Sequence, residues 1–404
     1  ISHDFFVRTT EEYHKNTVRE ILQELIESGD IYLGTYSGWY DLKQESYVSE
    51  KDASLIDYKG LTKIDQPSYF FRMSKYRDLI IKHISENPDY IQPEVYRKLI
   101  LDRLEDNLHD LSITRTSFSW GIPFPTSNEQ GEHVVYVWFD ALLNYLSATR
   151  VNGRENAWSP DIQIIGKDII WFHAVIWTSI LLSVNLPLPK TIFAHGFIND
   201  EDGYKMSKTD GNVVDPQELL QKYSSDSLRI YLIKNLPFGQ DIQFNEKSLI
   251  LTHNSDLCDL YGNLMNRICN LSDRHLESKI LDVEHDSILP REQINEIVER
   301  FKYHMNRYDI STGYDIAYTW FKNINIYIND NKVWIPSKEQ CSRLHTVLDA
   351  VYVGSHLLLP FIPETAIRML NTLGTSPNYI NCLDEGLKVG NPIAKNFVFK
   401  KIGK

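Results

Sequence analysis

A short basic tetrad, Lys-Met-Ser-Lys from Lys205 to Lys208, lies in a segment that is otherwise rich in glycine and acidic residues. Gly203 precedes the tetrad and Gly211 follows it, so the sequence predicts a mobile loop. Two ammonium groups on such a loop suit an anionic ligand, because they neutralise charge that grows on a polyphosphate in a transition state. A solvated basic turn explains the same four residues, so the neighbouring segments have to decide.

Two further segments place small and polar residues at the ends of predicted strands. In IIGKD, a strand runs into Gly166 and then into a helix near Asp168, which either caps that helix or binds a ribose. In FAHGFI, a later strand ends near His195, Gly196 and Ile198. Ligands of open parallel sheets bind beyond the carboxyl ends of the strands, so these residues predict a nucleotide site. The sequence contains neither GxGxxG nor GxxxxGK[ST], which indicates another mode of nucleotide binding.

Aromatic side chains follow two of the same predicted strands. Trp138 is expected to end a strand, and Ala141 and Tyr145 to share a face of the next helix. A second helix carries an apolar stripe with one imidazole, and most such stripes are simply core. Both sets begin beside the predicted nucleotide site, however, and a dry aromatic pocket suits a thioether. The candidate lining residues are Trp138, Ala141, Tyr145, Ile169, Phe172 and His173.

The elements that must position these residues fall into three zones. Residues 1–120 mix helices with short aromatic strands, and residues 121–245 alternate apolar strands with helices. Such alternation predicts an α/β fold with a parallel sheet. Residues 246–404 have the apolar periodicity of helices and predict a helical bundle.

Composition narrows the possible partners. The chain has 404 residues and a net charge of −12, so bulk charge does not favour nucleic acid and any such partner must meet local basic patches. None of the four cysteines forms a CxxC pair, so we expect neither a protein-bound zinc ion or other metal site nor a disulfide framework. No apolar run is long enough to predict a membrane span. We expect a reducing compartment, either the cytoplasm or a mitochondrial or other organellar matrix.

Taken together, these segments resemble the methionyl-tRNA synthetases, a family of class I aminoacyl-tRNA synthetases. KMSK followed by TDGNVVDP resembles the KMSKS loop of the family, with Thr209 in place of the usual serine. YVWFDALLNY and IIGKDIIWFHAVIW resemble the two segments around the methionine pocket. WGIPFP and DFFVRTT match connective segments, and GNLMNR and VWIP match the anticodon-reading part of the helical domain. The resemblance covers essentially the whole chain.

The resemblance implies a fold, a reaction and a role for each candidate residue. It implies the second half of a class I synthetase Rossmann-like nucleotide fold in 121–245, an α+β connective domain in 1–120 and an anticodon-binding helical bundle in 246–404. The implied reaction activates L-methionine with ATP, supplied with Mg²⁺, and transfers it to tRNA(Met). The implied roles are ATP phosphate binding and catalysis for Lys205, Ser207 and Lys208, ATP binding for Gly166, Asp168, His195, Gly196 and Ile198, methionine binding for the six pocket residues, and anticodon binding for Asn263, Arg267 and Trp334.

Two departures from the family pattern carry further expectations. YSGWYDLKQESYVSE stands where many relatives have a cysteine knuckle, and it resembles the metal-free type of mitochondrial-like enzymes. The HIGH motif of the family does not occur in the sequence. The resemblance therefore implies, as a further partner, an N-terminal segment of the same enzyme that carries HIGH and an acid for the amino group of methionine. We accordingly expect that residues 1–404 alone do not form methionyl-adenylate.

Two alternatives stay open. Class I synthetases of the Leu, Ile and Val type share this architecture, but they carry a large editing insertion for which the zone before Trp120 is short. A non-catalytic tRNA-binding fragment is the alternative from a different functional class, because half of the implied catalytic fold is absent from the sequence.

Overall fold

The chain divides into two compact units, Ile1–His195 and Gly196–Lys404, and each is described by itself. The domain boundaries that the sequence predicts near residues 120 and 245 stay predictions. In the part of the chain that the structure describes, no helix is both long enough and apolar enough to cross a membrane. The structure, a computed structural model, describes residues 3–41, 46–48, 61–125, 133–151, 153–207, 211–235, 239–286, 288–289, 291–377, 387–394 and 397–403.

The first unit combines helices with three small sheets. Its strands are β1 (Ile31–Asp41), β2 (Ser46–Val48), β3 (Leu61–Phe71), β4 (Ile91–Gln92), β5 (Leu111–Ser112), β6 (Thr114–Arg115), β7 (Val134–Val135), β8 (Ile162–Gly166) and β9 (Thr191–His195). Its α-helices are Glu12–Glu27, Arg77–Glu86, Glu94–Glu105, Val137–Leu142, Asn144–Thr149 and Thr178–Ser183. Single 3₁₀ turns are Met73–Tyr76, Glu155–Ala157 and Lys167–Ile169, and Phe172–Trp177 is π-helical.

An antiparallel sheet follows the first helix. Helix Glu12–Glu27 ends before Gly29, whose φ of 75° favours glycine and turns the chain into β1, as the sequence predicts. The strand order is β2-β1-β3-β5, and β1 and β3 pair along their full length from Ile31 opposite Phe71. The first helix buries its apolar face in the same core that the described sheets share, so this unit has one continuous interior.

A three-stranded parallel sheet has the order β4-β9-β8, which confirms the predicted parallel pairing of β8 and β9. The prediction of a long strand in HVVYVWF is wrong. Only Val134 and Val135 are extended, and they pair with β6 in an antiparallel sense instead of joining the parallel sheet. The backbone of β7 forms hydrogen bonds with an earlier loop and not with the parallel sheet, since the Val135 N–H donates to the Ile122 carbonyl at 2.9 Å.

The second unit is mainly helical. It has two short parallel strands, β10 (Ile198–Asn199) and β11 (Ile242–Gln243). The apolar periodicity from Arg343 to Gly374 predicts one long helix, but the structure has two, because Pro360 and Pro363 have no N–H to donate to a continuous helical ladder. The helices are Pro216–Lys222, Ser225–Asn235, Glu246–Thr252, Asn263–His275, Arg291–Met305, Ile310–Asp330, Gln340–Leu358 and Pro363–Thr372, and His253–Gly262 is π-helical.

Candidate functional site

The first wall of the predicted pocket is made of two short helices instead of one. The sequence predicts that Trp138 ends a strand, but the structure places it in the first turn of helix Val137–Leu142. Tyr145 lies on the next helix, Asn144–Thr149. The Asn144 side-chain amide donates to the Ala141 carbonyl, which in a continuous helix would accept the Tyr145 N–H. A local side-chain hydrogen bond therefore interrupts the predicted helix at Leu143.

The opposite wall is the helical segment that follows β8. Phe172 stacks on Trp138 with ring centroids 4.0 Å apart and an interplanar angle of 20°. Tyr145 donates its hydroxyl proton to His173 Nε2 at 2.8 Å, and His173 Nδ1 donates to the Ile169 carbonyl at 2.9 Å. Because a carbonyl oxygen can only accept, the proton of a neutral His173 lies on Nδ1 and leaves Nε2 as the acceptor. The structure thus brings the six predicted pocket residues to two facing segments.

The environment keeps this pair uncharged. His173 is buried, and burial lowers its pKa from the ordinary value, although the Ile169 carbonyl opposes the shift. Burial likewise raises the pKa of Tyr145. The rings of Trp138 and Phe172 are half-buried, so the cluster has apolar surface that remains accessible. A site of this kind suits an uncharged, polarisable side chain better than a charged one.

Trp177 is a member of this cluster that the sequence analysis did not identify. It is completely buried, and its ring centroid lies 6.0 Å from that of Tyr145 and 5.9 Å from that of Trp158. The signal available in sequence was its spacing, because Trp177 follows His173 by four residues and therefore continues the predicted apolar stripe.

Two predicted nucleotide residues meet at one end of the parallel sheet. Gly166 and His195 are register partners at the carboxyl ends of β8 and β9. A Cβ atom at Gly166 would lie 2.7 Å from Asp168 Oδ1, so a larger side chain would displace the carboxylate. Asp168 and His195 are exposed. The first unit therefore presents a carboxylate, an imidazole and a bare backbone edge at the place where ligands of parallel sheets bind.

In the second unit, the segment that leads into the predicted loop is tightly packed at Gly196. A Cβ atom at Gly196 would lie 1.9 Å from the Gln240 carbonyl oxygen, so only glycine permits this approach. The backbone then pairs through β10 with β11, which leaves Ile198 exposed. Lys205 is also exposed, and its Nζ lies 4.3 Å from the Phe197 ring centroid.

The rest of the loop is held by two side chains that the sequence analysis did not single out, Asp200 and Asn212. Asp200 Oδ1 accepts the Tyr204 N–H at 2.8 Å, and its Oδ2 accepts the Asn212 amide at 2.7 Å. Asn212 Oδ1 also accepts the Ser207 N–H at 2.8 Å. The Asn212 hydrogen bond is the main cause that holds the pKa of Asp200 below its ordinary value. The signal available in sequence was an Asp and an Asn flanking a glycine-rich turn.

Two anchors complete the loop. Met206 packs against a small apolar cluster around Tyr223, Tyr231 and Phe244. The Ser207 carbonyl accepts the Gly211 N–H at 3.1 Å. Lys208 lies outside the described residues.

The three predicted anticodon residues lie in the helical part of the second unit. Arg267 Nη1 donates to Asn329 Oδ1 at 2.8 Å, and its guanidinium carbon lies 5.1 Å from the Trp334 ring centroid. Burial lowers the pKa of Arg267. Asn263 lies one turn earlier on the same helix, and the Trp334 side chain is 43% exposed. A cation beside a partly open indole is suited to stacking on a base.

Among the residues that the structure describes, no group of three or more His, Cys, Asp or Glu side chains is arranged to hold a metal ion. The described cysteines, Cys258, Cys269 and Cys341, are unpaired thiols. The segment YSGWYDLKQESYVSE, which stands where many relatives have a cysteine knuckle, falls in part on β1 and β2 and in part outside the described residues.

The known proteins that are similar to this chain belong to the family that its sequence resembles. The family model described as tRNA synthetases class I (M) matches residues 1–57 and 51–269. A methionine–tRNA ligase of Thermotoga maritima is 38% identical over 387 residues, covering 91% of this chain and 61% of that protein. A methionine–tRNA ligase of Bacillus subtilis is 34% identical over 427 residues, covering 97% of this chain and 62% of that protein. The chain thus spans about three fifths of the length of these curated relatives.

Solved structures agree with the sequence relatives. Mycobacterium tuberculosis methionyl-tRNA synthetase bound by methionyl-adenylate superposes with a TM-score of 0.87 at 32% identity, covering 98% of this chain and 83% of that one. The free form of the same enzyme gives a TM-score of 0.87 at 30% identity, covering 100% and 84%. On the family match and these similarities, the chain belongs to the methionyl-tRNA synthetase family of class I tRNA synthetases.

Proposed function

We propose that this chain carries the methionine pocket, the KMSK loop and the anticodon-reading helices of a methionine–tRNA ligase. The observation that carries the proposal is the stacked Trp138–Phe172 pair beside the neutral Tyr145–His173 pair, in a chain of the methionyl family. The thioether of L-methionine lies against the rings, where sulfur–aromatic contacts are favourable. A neutral imidazole leaves no charge in the pocket that an uncharged side chain would have to desolvate.

The reaction has two steps. In the first, the carboxylate of methionine attacks the α-phosphate of ATP, which enters as its Mg²⁺ complex, and pyrophosphate leaves. In the second, a ribose hydroxyl at the 3′ end of tRNA(Met) attacks the acyl carbon of methionyl-adenylate, and AMP leaves. No covalent enzyme intermediate is required, so the protein acts by positioning the substrates and stabilising charge.

Each unit contributes its own groups to the first step. In the first unit, Gly166 lets adenosine approach the backbone at the sheet edge, while Asp168 and His195 offer polar contacts to the nucleotide. In the second unit, Lys205 and Lys208 stabilise the phosphates, and Ser207 shapes the loop through its bonded backbone. Gly196 and Ile198 flank the nucleotide from the base of that loop.

Replacing Asn212 with alanine should lower the rate of adenylation roughly tenfold, because the loop loses hydrogen bonds worth about 0.5–1.5 kcal/mol each. Asn212 binds Asp200, the Ser207 N–H and the Lys205 carbonyl, so its removal frees the segment that presents the lysines. Single-turnover adenylation measures the effect. Asn270→Ala is the control, since this amide bonds only the carbonyl of Asn266 on an exposed helix face. Equal loss in both variants would contradict a specific role for Asn212.

Replacing Trp334 with alanine should impair charging of tRNA(Met) but spare ATP–pyrophosphate exchange. Loss of a base–aromatic stack costs about 1–3 kcal/mol, and here it also removes the ring beside Arg267. Both assays are run on one preparation, with Trp334→Phe as the variant that keeps a stacking surface. A parallel fall of both activities would identify Trp334 as a structural side chain.

Two other functions remain as alternatives. Leucyl, isoleucyl or valyl ligases would prefer branched substrates, whereas the family model matched is that of the methionyl type. A non-catalytic tRNA-binding module would bind tRNA without adenylation. The test is attachment of radiolabelled methionine to tRNA(Met), by this chain alone and with a polypeptide that carries a HIGH motif added, with leucine, isoleucine and valine in parallel. Methionine-specific charging in either arm supports the ligase, and tRNA binding without charging in both arms supports the module.

A further inference from the structure

The first unit buries a polar cluster that the proposed reaction does not use. His14 lies on helix Glu12–Glu27 and has 0% of its surface exposed. Its Nε2 atom is 2.5 Å from Asp140 Oδ1, and its Nδ1 atom is 2.9 Å from Ser147 Oγ. Both ring nitrogens are therefore engaged with residues more than a hundred positions away in sequence.

The order Asp–His–Ser is that of a hydrolase triad, but burial excludes such a role. Ser147, like His14, has 0% of its surface exposed, so no substrate reaches its hydroxyl. Ser147 Oγ also lies 3.1 Å from the Asn144 carbonyl, to which it can donate. Only the Asp140 side chain retains some exposure, at 19%. The cluster is a cross-link and not a nucleophilic centre.

The cross-link joins the two short helices that form the first wall of the pocket. Asp140 lies on helix Val137–Leu142, two residues after Trp138, and Ser147 lies on helix Asn144–Thr149, two residues after Tyr145. The two helices are only six residues each and meet at Leu143, where the regular ladder is broken. A single imidazole that binds both helices fixes the angle between them.

We propose that His14 is a positioning residue that sets the width of the methionine pocket, and hence its selectivity for the length of the side chain. This inference rests on the proposed function. Trp138 faces Phe172 from one short helix, and Tyr145 holds His173 from the other. A change in the angle between the helices alters the distance between these two pairs. His14 itself is buried behind the wall, so it acts through Asp140 and Ser147 rather than by touching the substrate.

The test compares L-methionine with L-ethionine, whose side chain is one methylene longer. A well-fitted pocket discriminates one methylene by about 10–200-fold in kcat/KM. The glutamine of His14→Gln can still reach Asp140 but not Ser147 at the same time. Ser147→Ala removes the hydrogen bond between Ser147 and His14 and leaves His14 in place. We expect each variant to reduce the methionine-to-ethionine ratio about tenfold, within the range that pocket fit supplies. The loss should come through KM for methionine, with kcat for exchange nearly preserved.

Ser179→Ala is the matched control, because Ser179 is a buried hydroxyl of the same unit that, among the described residues, donates to the Val175 carbonyl of the preceding π-helical segment. A general loss of packing would lower the amount of active protein and leave the ratio unchanged. Calorimetric titration with both amino acids gives a readout that does not depend on turnover. If His14→Gln fails to fold, Ser147→Ala decides the outcome.

The possible outcomes distinguish the positioning role of His14 from the proposed function. Unchanged ratios in folded variants, with a methionine-dependent wild type, would overturn the positioning role and leave the proposed function standing. A wild type that neither binds methionine nor activates it, even with a polypeptide that carries a HIGH motif added, would overturn both. A reduced ratio in His14→Gln and Ser147→Ala, but not in Ser179→Ala, supports the inference.

Discussion

Replacing Lys205 with alanine is expected to slow formation of methionyl-adenylate by roughly 10²–10³-fold, the typical cost of removing one well-placed donor to transition-state charge. Methionine affinity should stay nearly unchanged, because Lys205 is assigned to the phosphates of ATP and is not one of the six residues assigned to the methionine side chain. The loop that carries Lys205 is held by Asp200 and Asn212, so the substitution removes the charge without removing the loop. Rapid-quench measurement of a single turnover gives the rate.

Three further variants make the result for Lys205 specific. Lys222→Ala removes an exposed lysine of the same unit that pairs with Glu246 at 3.6 Å, and it should leave the rate unchanged. Lys205→Arg keeps the positive charge and should retain part of the activity, though arginine donates in a different geometry. Lys208→Ala is expected to act in the same direction as Lys205→Ala. Equal adenylation rates for Lys205→Ala and wild type would contradict the assignment.

Replacing Phe172 with alanine should weaken methionine binding by about 10–100-fold, since full burial of an apolar side chain is worth about 1.5–3 kcal/mol. The variant removes the ring that stacks on Trp138 at 4.0 Å and opens the pocket to water. ATP affinity should remain close to that of the wild type, because ATP is assigned to the strand ends. Calorimetric titration with each ligand separately measures both affinities.

Phe70→Ala is the matched control for this experiment. Phe70 stacks on Tyr32 with the same interplanar angle of 20°, at 5.6 Å, but it lies in the antiparallel sheet. The control therefore removes a stacked phenylalanine from the same unit without touching the pocket. If Phe172→Ala is folded and binds methionine as the wild type does, Phe172 is ordinary core.

Local patterns in the sequence predicted the elements that end at the site. Alternation of apolar strands and helices predicted β8 and β9, and both their parallel pairing and the meeting of Gly166 with His195 follow from it. Phe172 and His173 were also predicted from sequence, because they follow the end of β8 on the helical segment that the sequence predicts. These features depend on neighbouring residues only, so the pattern contains the information.

Other features of the site depend on contacts that no local pattern contains. The interruption at Leu143 results from the Asn144 side chain, and the orientation of the two short helices depends on His14, 126 residues before Asp140. Trp177 continues the predicted stripe four residues after His173, but its packing against Tyr145 and Trp158 joins segments that are distant in sequence. Long-range hydrogen bonds and irregular helices are therefore where sequence reasoning stopped.

Methionine-dependent ATP–pyrophosphate exchange tests the central claim most directly. The assay is run with this chain alone and with a polypeptide that carries a HIGH motif added, using methionine, leucine, isoleucine and valine as separate substrates. The account predicts, in at least one of the two arms, exchange that requires methionine and that the three branched amino acids do not support. Exchange supported equally by leucine or valine, or no methionine-dependent exchange in either arm, would contradict it.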